Sequence, residues 1–244
     1  MKIAVLGAAG WVGRALLADL SEGHQVRAFD RGPEAWEKDG PWEGQIVHGD
    51  ISDYGTVERA LDGVDGVVHA AVYGGRYGLD DEAPFLINLK GLWNTLEVAR
   101  QHGIRRVVHI GSCQVEHPDG VFFTADVRRP DGDLYAVTKR LQEEMCRQFH
   151  DAFGLSIVVL RPCGIVDSRS GQGKDGRPLS GYSPGWVCRH DLAQACGLAL
   201  ESSTIDFDIF HTAGPPEAEK TCDVRRSREV LGLEYRGDLG RFGK

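Results

Sequence analysis

No C-x-x-C pair occurs among the six cysteines (Cys113, Cys146, Cys163, Cys188, Cys196 and Cys222), and their spacing is irregular. That argues against a disulfide scaffold and against a zinc site, so no metal is expected. No apolar run approaches the length of a membrane span, and the chain has neither an internal repeat nor a low-complexity tract. Charge of one sign is not concentrated either: the formal net charge is −8, with acidic and basic residues interspersed. Neither nucleic acid nor a membrane surface is therefore expected as a partner, and a small molecule is. The first strand begins within two residues of the N-terminus, which leaves no room for a signal peptide, and a cytoplasmic protein is expected.

What the chain does have is regular alternation. Short apolar runs at 2–6, 24–29, 46–48, 66–71, 106–110 and 156–161 read as strands. Between them, amphipathic stretches at 12–20, 54–61, 84–101 and 132–153 read as helices, two of which end at a glycine, Gly103 or Gly154. Residues 191–200 read as a helix, 206–211 as a strand and 223–231 as a further helix. The Gly, Ser, Arg and Lys rich stretch 167–185 breaks the alternation and reads as a long loop or lid, and 72–83 as a second mobile loop. This pattern predicts an α/β fold: a doubly wound parallel Rossmann sheet over residues 1–165, and a small C-terminal substrate-binding region and lid over 166–244, some of which returns to the sheet. With 244 residues the chain is long enough to bury a substantial core.

Where the first strand should become a helix, the sequence reads Gly7-x-x-Gly10-x-x-Gly13. Gly7 permits a tight turn, Gly10 lets backbone approach a pyrophosphate, and Gly13 lets helix and strand pack closely. The N–H groups of Trp11, Val12 and Gly13 then open the helix toward an anion. Asp30, about twenty residues on, can accept hydrogen bonds from ribose hydroxyls, which favours NAD over NADP. Arg31 beside it keeps NADP open, since a guanidinium can hold a 2′-phosphate or stack on adenine. After the third strand, Asp50 and Ile51 are placed near adenine, whereas Asp53 reads as a helix N-cap. Ala70 and Ala71 are small enough for backbone to approach a cofactor after the fourth strand, and His69 is given a structural role.

Tyr135 and Lys139 are four residues apart and so share one helix face. A cation there would stabilise a phenolate and lower the tyrosine's pKa toward working pH, making it a general acid or base. The alternative is an ordinary helix face. Ser112, just past the fifth strand, adds a hydroxyl at the edge of the sheet where a cofactor is expected. In the lid, Arg169, Lys174 and Arg177 could clamp a carboxylate or phosphate, or simply solvate a loop.

Together these motifs resemble the extended short-chain dehydrogenase/reductases, the NAD-dependent sugar epimerase/dehydratase family. The likeness is carried by the glycine turn, Gly49-Asp50, His69-Ala70-Ala71, Asn88-x-x-Gly91-x-x-Asn94, Ser112, Tyr135-x-x-x-Lys139, Leu160-Arg161-Pro162 and His190-Asp191-Leu192-Ala193. It implies that Tyr135 is the acid/base, Lys139 its pKa modifier and ribose ligand, Ser112 the substrate-orienting hydroxyl and Pro162 a cofactor neighbour. Asn88 is read as structural. The run 103–112 and the compact tail are similar to uronate dehydrogenases, although Cys113-Gln114 stands where that group places Asn-His. Those two residues are expected to line the substrate pocket. The resemblance also suggests a homodimer built on the helices at 84–101 and 132–153. The activity implied is an NAD-dependent oxidoreductase acting on a sugar or sugar acid, with an epimerase or dehydratase, and a non-catalytic nucleotide-binding regulator, as alternatives.

Overall fold

The computed structural model describes residues 1–37, 40, 42–78, 82–115, 133–220 and 222–243. In chain order these form β1 (Lys2–Leu6), α1 (Trp11–Leu20), β2 (Gln25–Asp30), β3 (Gln45–His48), α2 (Tyr54–Leu61) and β4 (Gly66–His69). Next come α3 (Glu82–Pro84), a π-helical segment (Phe85–Lys90), α4 (Gly91–Gln101), β5 (Arg106–Ile110), α5 (Leu134–Phe153), β6 (Ile157–Pro162), β7 (Gly164–Asp167) and β8 (Gln172–Gly173). The chain continues through β9 (Trp186–Cys188), α6 (Arg189–Glu201), β10 (Phe207–Thr212) and α7 (Arg225–Glu229). Seven strands make one parallel sheet in the order β10-β6-β5-β4-β1-β2-β3. The order reverses between β1 and β4, and ligands of such sheets lie at the carboxyl edge beside that reversal.

Strand residues alternate between two apolar layers, as pleated backbone requires. Ile3, Val5, Val68, Val108 and Val158 pack with Leu16 and Leu17 of α1 and Leu192 of α6. Ala4, Leu6, Val67, Val107 and Val159 pack with Val57 of α2 and Leu96 of α4. Residues beyond 165 return to the sheet through β10 and cover it through α6. At that helix's C-terminal end, the buried Arg106 donates to the carbonyls of Ala199, Ser202 and Ile205, a cation satisfying orphan carbonyls at the negative end of a helix dipole.

Two expected elements differ. The helix expected at 84–101 contains the π-helical stretch, where Gly91 N–H reaches back to the Leu86 carbonyl. The extra residue per turn is accompanied by a buried Asn88, which accepts from Tyr73 N–H and donates to Thr138 Oγ1 and Tyr77 Oη. The stretch 167–185 is not all loop. β7 turns back antiparallel onto β8 and pairs in parallel with β9, giving a separate three-stranded sheet. Strands of two to four residues are too short for a periodic signal. The expected helix start at Gly132, and residues 79–81 of the loop expected at 72–83, lie outside the described residues; α5 begins at Leu134 with Asp133 as its cap.

Candidate active site

The glycine turn is specified by close approach. Gly7 has φ +83°, and a Cβ there would lie 2.7 Å from the Ala71 backbone. At Gly13 a Cβ would come within 2.2 Å of the Gly7 carbonyl oxygen. Both positions therefore require glycine. No side chain caps α1, so the N–H groups of Trp11, Val12 and Gly13 have no partner within the helix. The Asp30 carboxylate accepts from Ala9 N–H at 2.8 Å and from Arg31 N–H at 2.8 Å, tying the end of β2 to the turn. The Arg31 side chain is exposed beside it. Trp11 is held from outside the turn: the Arg189 guanidinium stacks 4.1 Å from its ring centroid and pairs with Asp167 at 2.8 Å.

Other residues assigned to the cofactor edge have local partners. Asp50 Oδ1 accepts from Ser52 N–H and Oγ, closing the turn after β3, and Asp53 caps α2 through Thr56. Ile51 is buried against Gly91, and its carbonyl accepts from Asn94. Ala70 and Ala71 follow β4 beside Gly7, and Pro162 ends β6 opposite Thr212.

At the carboxyl edge of β5 the structure brings Ser112, Tyr135 and Lys139 together. The Ser112 hydroxyl lies beside the Tyr135 phenol. It accepts from Gln114 N–H at 3.2 Å. Lys139 is buried one turn below, donates to the Ile110 carbonyl at 2.8 Å, and has its Nζ 5.9 Å from the Tyr135 ring centroid. Burial brings this ammonium's pKa down to about 8, against the pull of Glu143. The expected lowering of the tyrosine is a point of correction. Burial pushes the Tyr135 phenol above its usual 10 and outweighs the opposing effect of Ser112, so the protein by itself holds this group protonated. Tyr77, held by Asn88, packs edge-on against the Tyr135 ring at 5.5 Å.

Beneath these groups lies a set of which the sequence singled out His69 and Arg161 but not Glu143 or His109. Glu143 is one further turn along the face that carries Tyr135 and Lys139, so the same four-residue spacing would have found it. It forms a buried two-point ion pair with Arg161 of β6, at 2.8 Å through Nε and again through Nη2. On the same sheet face His69 and His109 meet ring to ring, Nδ1 to Nδ1 at 3.2 Å. One ring donates and the other accepts, so the accepting ring is neutral. Burial and the nearby Lys139 hold His69 down to about 3, and His109 is likewise held well below its usual value.

The residues assigned to substrate divide. Cys113 and Gln114 directly follow Ser112, the first buried and the second exposed. The lid cations are not brought to this edge by any contact: Arg169 pairs with Asp19 of α1 at 3.6 Å, Arg177 pairs with its neighbour Asp175, and Lys174 is exposed. A separate cavity of about 780 Å³ lies in the C-terminal region, lined by Tyr182, Glu217, Arg228 and Tyr235, and it contains none of Ser112, Tyr135 and Lys139. No cluster suited to a metal ion occurs among the described residues. None of the described helices is long and apolar enough to cross a membrane.

Comparison with known proteins agrees with this architecture. The chain is 36% identical over 175 residues to a 2-alkyl-3-oxoalkanoate reductase of Stenotrophomonas maltophilia, covering 66% of this chain and 50% of the relative. It is 28% identical over 222 residues to a uronate dehydrogenase of Pseudomonas syringae pv. tomato, covering 86% and 72%. The fold superposes on that of a mutated uronate dehydrogenase with a TM-score of 0.81 at 22% identity, covering 99% of this chain and 83% of the other. The chain spans about half the length of the reductase and of several other curated relatives that it matches. Residues 3–203 match the model of the NAD dependent epimerase/dehydratase family, and the chain belongs to that family.

Proposed function

We propose that this chain is an NAD-dependent oxidoreductase acting on a carbinol or carbonyl carbon of a sugar or sugar acid, with Tyr135 as the general acid/base. The observation that carries this reading is the contact of Ser112 with the Tyr135 phenol above the buried Lys139, at the same sheet edge as an uncapped glycine turn.

The residues fit the cofactor. Gly7, Gly10 and Gly13 leave the space, and the N–H groups of Trp11, Val12 and Gly13 would hold the pyrophosphate. Asp30 would accept from the ribose hydroxyls, Arg31, Asp50 and Ile51 would border the adenine end, and Ala70, Ala71 and Pro162 would flank the nicotinamide half. When bound, NAD supplies a hydride acceptor at the substrate carbon, and NADH the donor. Ser112 orients the substrate oxygen. Tyr135 gives its proton to that oxygen in reduction, and as the phenolate takes it back in oxidation. Lys139, anchored on Ile110, supplies the positive charge that the departing proton leaves in demand, and reaches the ribose. Cys113 and Gln114 border the substrate. Arg169 and Arg177 are engaged elsewhere.

Two further readings accompany this one. Five of the eight large apolar side chains exposed among the described residues (Phe85, Leu86, Trp93, Leu141 and Phe153) belong to the π segment, α4 and α5, which supports a homodimer through those helices. All six cysteines are free, which supports a reducing cytoplasmic setting. The activity is tested by adding NAD and a panel of free hexuronic acids, hexoses and UDP-sugars. NADH absorbance growing with one free sugar or sugar acid is expected. Interconversion of a sugar with no net NADH would replace the reading with an epimerase.

A further inference from the structure

The segment after β4 meets the active site through one aromatic side chain. Tyr77 sets its ring 5.5 Å from the Tyr135 ring, with the two planes at 86°. Tyr73 packs on Tyr77 in the same way, at 5.1 Å and 87°. Edge-to-face pairs at these separations are the favoured aromatic geometry, so the three rings form a supported run that ends at the phenol assigned to proton transfer.

The hydroxyl of Tyr77 is committed within its own surroundings. It donates to the Tyr73 carbonyl at 3.2 Å and accepts from Asn88 Nδ2 at 3.1 Å. A tyrosine that bound substrate through its hydroxyl would keep that proton for the ligand, whereas here the ring is the part of Tyr77 left to serve the site. The buried Asn88 then ties the two sides of the ring contact together. Its Oδ1 accepts from Tyr73 N–H at 2.8 Å, and its Nδ2 donates also to Thr138 Oγ1 at 3.0 Å. Thr138 donates in turn to the Tyr135 carbonyl at 2.9 Å, and Gln142 of α5 donates to the Asn88 carbonyl at 2.7 Å. One buried amide therefore fixes both the segment that carries Tyr77 and the helical turn that carries Tyr135.

We propose that Tyr77 is a positioning residue for Tyr135, its ring holding the phenol in one orientation and keeping water from the side it covers. This rests on the acid/base reading of Tyr135 given above. Among the described residues, Ser112 and Cys113 face the phenol from the turn after β5, Asp133 and Lys139 from α5, and Tyr77 from the segment after β4. Burial is the largest cause of the raised Tyr135 pKa, and the neighbouring Tyr77 adds to it. Removing the Tyr77 ring admits water, favours the phenolate and lets the ring of Tyr135 turn.

The test uses the full chain with Tyr77→Ala and Tyr77→Phe, and reads two quantities. The first needs no substrate: a meta-fluorotyrosine placed at position 135 reports its own ionisation by fluorine NMR. Its midpoint should fall by about one pH unit in Tyr77→Ala and stay near the parent value in Tyr77→Phe, which keeps the ring. The second is oxidation of an active substrate, where Tyr77→Ala should lower kcat about tenfold with KM unchanged, and Tyr77→Phe should recover most of that loss. Tyr77→Leu, which fills the space without a ring, should follow Tyr77→Ala and serves where the alanine variant melts early. An unmoved midpoint in both the alanine and leucine variants would overturn the proposal. So would a rise in KM alone, which would make Tyr77 a substrate contact, or a phenylalanine variant as impaired as the alanine one. If the parent chain turns over no substrate, the proposed activity fails, and the fluorine titration still decides whether Tyr77 governs the surroundings of Tyr135.

Discussion

The two faces of the seven-stranded sheet differ in what their strands present at the carboxyl end. Toward α1 and α6 the last inward residues are Ile110 of β5, Leu160 of β6 and Phe210 of β10, all apolar, and the buried Arg106 lies at the opposite end of β5. Toward α5 the next positions along are His69, His109, Arg161 and His211, aligned by register, and α5 answers with Lys139, Gln142 and Glu143. The apolar face stabilises the fold by burial that depends little on pH or on partners. On the polar face the buried charges of Glu143 and Arg161 must stay matched, because an unmatched buried group costs more than the pair contributes. That cost keeps Lys139 in one place beneath Tyr135.

The comparison can be broken most directly at the ion pair. Glu143→Ala leaves the Arg161 guanidinium buried without its partner, and the unfolding free energy in urea should fall by about 3–5 kcal/mol. A loss no larger than that of an exposed substitution would mean that water reaches the pair. On the other face, Leu16→Ala removes a fully buried side chain. It should cost about 3 kcal/mol, with no change in how stability varies with pH.

The smallest effect separates the faces by titration. His69 has a pKa of about 3 in the fold, against about 6.5 for an unfolded chain. Between those values the unfolded chain binds a proton that the folded chain refuses. Stability is therefore complete above pH 6.5 and declines as pH falls toward 3. From pH 7 to pH 5 this one ring should remove about 2 kcal/mol. His69→Gln should flatten that slope, whereas Leu16→Ala should retain it. An unchanged slope in His69→Gln would place the titration elsewhere.

The parallel sheet was readable because buried strands are continuous apolar runs and their crossover helices are amphipathic. α2 and β5 have the bounds read from sequence, and the glycine turn was readable because only glycine meets its close contacts. The π-helical segment was not, since its cause is the tertiary anchoring of Asn88 by Tyr73, Tyr77 and Thr138, which no local pattern encodes. The β7-β8-β9 sheet escaped because its strands are too short for a period. For the active site, Tyr135 and Lys139 were visible by spacing, but the sign of the tyrosine's shift was not. Spacing shows that a cation is near, whereas desolvation depends on how much of the fold closes over the ring. Arg161 was in view within its motif but Glu143 was not, and only the packing of α5 on β6 joins them.

The central claim is that Tyr135 moves the substrate's proton while the rest of the site binds and positions. Tyr135→Phe removes one hydroxyl and keeps the ring against Tyr77, so its kcat with the active substrate is the direct measurement, taken with NAD affinity by calorimetry and with the melting temperature. The account predicts a loss of kcat of about 10²–10⁴-fold with NAD affinity and melting temperature unchanged. Unchanged kcat in Tyr135→Phe would contradict it.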